Sequence, residues 1–158
     1  MVISVIGLLA GLGLPAINGA IQAGKKVEVA AMAESIQTAV NAFYAEYSQY
    51  PSNNGRTDLN FLNLMTTTNS TGTSAQNTRG IAFLEVPPKF TNASGIVTPR
   101  GLYKGGVRSN FFILIDTQGL GFVNPKSVSS VTNTNVPSAV AVWVVDPTTN
   151  TKAVGTFK

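Results

Sequence analysis

The chain opens on 24 residues without a charged side chain, MVISVIGLLAGLGLPAINGAIQAG, closed by Lys25 and Lys26. As a helix, such a run reaches across the ~30 Å hydrocarbon core of a bilayer. From Lys25 the pattern becomes amphipathic. Val29, Met32, Ala33, Ile36, Val40, Phe43, Tyr47 and Tyr50 recur at steps of three and four, with Glu28, Glu34, Gln37, Asn41 and Glu46 largely between them. No proline or glycine interrupts this part, and alanine is abundant. Pro51 and the Ser52-Asn53-Asn54-Gly55 turn residues end it. The pattern predicts one helix of roughly 50 residues, about 75 Å long. Val29, Ile36, Val40, Phe43, Tyr47 and Tyr50 form the face that packs on the rest of the chain. Pro15 removes a backbone donor, so the stretch from Gly7 to Pro15 is expected to kink, or to melt locally once neighbouring subunits replace a membrane.

Beyond Ser52 the chain turns to Asn, Thr, Ser and Gly. Leu59, Leu62 and Leu64 predict a short turn or helix against the long one, and Thr66 to Thr78 a polar surface loop. Strands are expected at Ile81–Val86, Asn110–Asp116, Leu120–Val123, Ala139–Val145 and Ala153–Phe157. Thr117-Gln118-Gly119 reads as the turn of a hairpin between the second and third of these. The class is α+β: a long N-terminal helix packed on a small, mainly antiparallel sheet. The expected division is an apolar segment, 1–24, and a head, 25–158. The head comprises the amphipathic helix 25–50, polar loops 51–80 and a β-rich region 81–158.

Composition narrows the chemistry. The 158 residues fit one domain, and only 11% are charged. Histidine and cysteine are absent, which excludes disulfides, thiol nucleophiles, zinc clusters of these residues and a histidine base. No nucleophile elbow, paired-carboxylate arrangement or nucleotide fingerprint appears, so no catalysis and no cofactor are expected. Asp116 with Asn124, and Asp146 with Asn150, offer oxygen ligands to calcium. Their spacing lacks the dense acidity of a tight site, and turns favour the same residues. Arg100, Lys104 and Arg108, with Tyr103 among them, offer a phosphate or DNA contact. Without a P-loop pattern they read as a solvated loop, and a net charge of +4 does not call for a nucleic-acid partner. Asn69-Ser70-Thr71 and Asn92-Ala93-Ser94 match the N-glycosylation pattern, which arises often by chance in so Asn/Ser/Thr-rich a chain.

Three readings of the apolar segment compete. It is a cleaved signal peptide with Ser4 to Leu14 as its core and Asn18-Gly19-Ala20 at the cleavage site, and the chain an exported monomeric binding domain. It is an ordinary membrane anchor. Or it is a helix that starts in the membrane and later packs against copies of itself, as Gly7 and Gly11, one turn apart, would permit. No basic residue precedes the apolar core, and the helical pattern continues past it, which disfavours the signal peptide.

Gly7-Leu8-Leu9-Ala10, Leu14-Pro15-Ala16-Ile17 and the closing Tyr44-Ala45-Glu46-Tyr47-Ser48-Gln49-Tyr50-Pro51 resemble the N-terminal region of type IV pilins and type II secretion pseudopilins. The likeness covers about the first third of the chain. It implies a structural subunit of a helical homopolymer, held in the inner membrane before assembly into an extracellular or periplasmic filament. Prepilin peptidase and a pilus or secretion assembly machinery are the implied further partners. The implied filament-core residues are Val2, Ile3, Ile6, Gly7, Leu8, Leu9, Gly11, Leu12, Leu14 and Pro15. One departure stands out. Aligned on Gly7 and Pro15, the family's aromatic residue and glutamate fall before Met1, and Val5 cannot replace that glutamate. The Asp-Pro-Trp-Gly motif of the major pseudopilins, with its calcium loop, is also missing.

Overall fold

The computed structural model describes residues 2–66 and 76–157, and for residues 2–16 only the course of the backbone. The architecture is α+β. Helix α1 (Val2–Tyr47) is followed by α2 (Leu59–Thr66), a two-stranded ribbon of β1 (Thr91–Asn92) and β2 (Gly95–Ile96), and a sheet of β3 (Phe112–Ile115), β4 (Val140–Val145) and β5 (Ala153–Gly155). The sheet order is β3-β4-β5, antiparallel throughout, with Phe112 opposite Trp143 and Val144 opposite Val154.

Period 3.6 on α1 meets period 2 on β4. Val29, Met32, Ala33, Ile36, Val40 and Phe43 are buried on the helix, against Val140, Val142 and Val144 of β4 and Ile113 of β3. Tyr47 and Tyr50 pack at the margin of this core, half-buried. The alternate residues of β4 face the other way. Ala141 and Trp143 join Val123, Val131, Val136 and Ala153 in a second core, with Phe112 and Phe157 against the indole. The sheet therefore lies between α1 and a layer of loops, and this is why β4, VAVWVV, is apolar at every position. The Trp143 indole N–H donates to Ser129 Oγ across that second core.

Helix α1 ends earlier than the periodicity implies. Ser48 adopts φ 53° and its amide donates to Tyr44 O at 2.8 Å, so the helix closes at Tyr47 in a left-handed cap and Tyr50 lies beyond it. The short helix expected around Leu59 forms as α2, but Phe61, Leu64 and Met65 are its buried residues, and Leu59 is exposed.

Two expected strands do not form. Residues 81–86 are irregular because their backbone is engaged elsewhere. The Phe83 and Leu84 amides both donate to Met65 O at the end of α2, and Asn77 holds both the amide and the carbonyl of Ile81. Residues 120–123 do not return along β3. The Asp116 carboxylate accepts the amides of Gln118 and Gly121 and folds the chain into a loop, leaving a single bridge from Val123 to Val136. Conversely, the ribbon of β1 and β2 was not expected. Its turn is made by the Asn92 side chain accepting the Ser94 amide, and by Gly95 at φ 109°.

Candidate assembly surface

Helix α1 is far longer than the sheet it covers. Its 46 residues amount to about 70 Å, but the helix residues in the buried core begin at Val29. From Ile17 to Gly24 every residue is exposed. Ile17 and Ile21 are 57% and 50% exposed, and a Cβ placed on Gly19 or Gly24 would meet nothing within 4 Å. Within the described residues the helix thus leaves the head as an uncharged, partly apolar rod. Val2, Ile3, Ile6, Gly7, Leu8, Leu9, Gly11, Leu12, Leu14 and Pro15, the expected filament-core residues, lie outside the residues whose side chains are described, as does the expected weak point between Gly7 and Pro15. Among the described residues no helix is long and apolar enough to cross a membrane.

The point of departure is fastened by polar contacts. Gln22 Nε2 and Lys25 Nζ both donate to Gly101 O, at 3.3 and 3.1 Å. Gly101 has φ 80°, and a Cβ there would meet Lys25 Nζ at 2.7 Å, so the carbonyl is presented by a backbone that glycine suits. Lys26 reaches the turn after β4, donating to Asp146 Oδ2 at 2.9 Å and to Thr148 Oγ1 at 3.1 Å. Partial burial pushes the Asp146 carboxyl up. The Thr148 amide, Lys26 and the Thr148 hydroxyl outweigh that and hold it below the usual carboxylate range. Beside it, Tyr103 donates to Val145 O at 2.6 Å. Burial, together with the Asp146 charge, pushes its phenol up to about 12. Further along α1, Gln37 Nε2 donates to Val140 O at 2.6 Å. Glu28 pairs with Lys89, and Glu46 with Arg79.

The other candidates fall apart by location. Asp116 is turned onto its own loop: desolvation raises its carboxyl, but the amides of Leu120, Gly121, Gln118 and Gly119 draw it below the usual range. Asp146 faces Lys26, and Asn150 meets it only through a backbone bond at 2.8 Å to the Asp146 carbonyl. Among the described residues no three acidic side chains come together. Arg108 leaves the basic stretch altogether. Its guanidinium donates to the carbonyls of Thr98, Thr91 and Lys89 and clamps the ribbon to the strand that follows. Arg100 and Lys104 remain exposed; Lys104 lines a cleft with Gln22 at the foot of α1, and Arg100 is next in the chain to Gly101, which Gln22 and Lys25 bind. Asn92 is exposed on the ribbon, while Asn69 lies outside the described residues.

Sequence reasoning did not find Gln22, Lys26, Gly101 or Thr148 as anchors. Two adjacent lysines closing an apolar run were the visible signal; their partners, more than 70 positions away, were not. Compared with family models, with curated proteins and with solved structures, the chain has no significant match.

Proposed function

We propose that this chain is a structural subunit that polymerises through its N-terminal helix into a filament of the type IV pilus or type II secretion pseudopilus kind, and that it has no catalytic role. The observation that carries the reading is the exposed stretch of α1. Apolar and glycine residues from Ile17 to Gly24 stand clear of a head whose own core is complete without them. Burying many apolar side chains against neighbouring copies, at ~25 cal/mol per Å², is the driving term for assembly. The head, poor in charge, faces outward. In this reading the helix rests in the inner membrane before it enters the filament.

The test is cryo-electron microscopy of material sheared from native cells, with mass spectrometry of the N-terminus in the same sample. The expected result is a helical filament of this chain with residues 1–23 near its axis. A soluble monomer beginning after Ala20, with no filament, would overturn the proposal and establish the exported binding domain instead.

A further inference from the structure

We infer that the foot of α1 is a basic collar that seats the subunit on anionic lipid headgroups before assembly. The inference rests on the membrane-held stage of the proposed function and adds the lipid class. Two positive groups stand where the helix leaves the head, Lys25 on Gly101 O and Lys104 in the adjoining cleft, and a third, exposed Arg100, immediately precedes Gly101 in the chain. Lys25 comes from α1, and Arg100 and Lys104 come from the loop that the helix grips through Gly101 O. Gln22 and Lys104 line one cleft, together with Leu102, Tyr103 and Thr148.

The acids nearby are already committed. Asp146 pairs with Lys26, and Glu28 with Lys89. Among the described residues Lys25, Arg100 and Lys104 have no acidic partner. Arg100 and Lys104 are exposed, and neither side chain makes a hydrogen bond or ion pair among the described contacts. Directly toward the N-terminus lie exposed Ile21 and Ile17, one and two turns along the helix. Apolar side chains on one side and unpaired cations on the other are the order that a bilayer presents, hydrocarbon first and phosphate above it. Each basic residue near an anionic surface strengthens attachment about fivefold, so the collar selects charged lipid rather than supplying the anchor itself.

Vesicle flotation of the full chain tests this. The protein is incorporated by detergent dilution into vesicles of pure phosphatidylcholine, or of phosphatidylcholine with about 30% phosphatidylglycerol. The expected result is that the chain floats with both, prefers the anionic vesicles, and loses that preference in high salt. Arg100→Gln with Lys104→Gln should lower the preference about 25-fold and leave flotation with neutral vesicles unchanged. Arg79→Gln with Lys126→Gln removes the same charge elsewhere and should leave the preference intact. Equal flotation of the original chain with both lipids, or an equal loss in the two variants, would overturn the collar while leaving a membrane-held subunit standing. Flotation with neither would overturn the membrane stage itself.

Discussion

Gly155 carries more structural consequence than its place near the end of the chain suggests. It pairs with Trp143, and a Cβ there would sit 2.7 Å from Trp143 Cα and against the Val142 carbonyl. Neither neighbour is a flexible side-chain end, so Gly155→Ala must push β5 off β4 and should cost about 1–3 kcal/mol in denaturant unfolding. Ser48 offers the opposite case. It holds φ 53° without the freedom of glycine, so Ser48→Gly is expected to stabilise the protein by about 0.5–1 kcal/mol, read as a higher urea midpoint at unchanged slope. Asp146 sets a pH dependence. Its carboxyl titrates lower in the folded chain than in the unfolded one, so its contribution is complete above about pH 4 and fades as pH falls through the folded value. Asp146→Asn should remove that part of the acid limb of a stability–pH profile, at a cost near neutrality of about 1 kcal/mol. The sequence singled out only Asp146 of these three, and as a calcium ligand rather than as the partner of Lys26. A glycine, a serine after a helix and an Asp-Pro turn are common, and what makes each matter is a neighbour brought from elsewhere in the chain.

Among the elements, α1 was legible because its amphipathic half repeats the helical period over several turns, and β4 because it is a continuous, valine-rich apolar run. The two faces of α1 make that quantitative. Ile36 is fully buried, and Ile36→Ala should cost about 2–5 kcal/mol. Thr38, two residues on, is exposed with its hydroxyl bonded only to Glu34 O, and Thr38→Ala should change stability by less than about 0.5 kcal/mol. Equal losses at the two positions would mean that the helix does not pack by this face. The elements that misled are short. Residues 81–86 read IAFLEV, an apolar run fit for a strand, yet Asn77 and the end of α2 take up its backbone groups. Residues 120–123 follow a turn fit for a hairpin, yet the Asp116 carboxylate captures the amides that the ladder would need. In the first case an amide side chain and a helix-end carbonyl, and in the second a single carboxylate, outcompete a strand of four to six residues. That outcome depends on tertiary placement, which a local pattern does not contain.

For the whole molecule, the proposed function requires that two parts with different roles be energetically separate. The head needs α1 from about Gln22 onward, because the first polar anchors and then the core begin there. The helix before that point gives the head nothing that the described contacts record. Ile17→Asp with Ile21→Asp puts two charges on exposed positions, so the melting temperature of the head should stay within about 2 °C of the original. The same pair should abolish filaments, because an aspartate buried between subunits would lose its hydration without a partner. Differential scanning calorimetry and negative-stain microscopy of the two proteins read these outcomes independently. A lowered melting temperature would place the exposed stretch inside the fold of the head, and the rod would then be a structural strut. Filaments that survive both charges would put the subunit contacts elsewhere, on the head alone. An unchanged head without filaments is the result expected of a helix made for the membrane and for assembly rather than for the head.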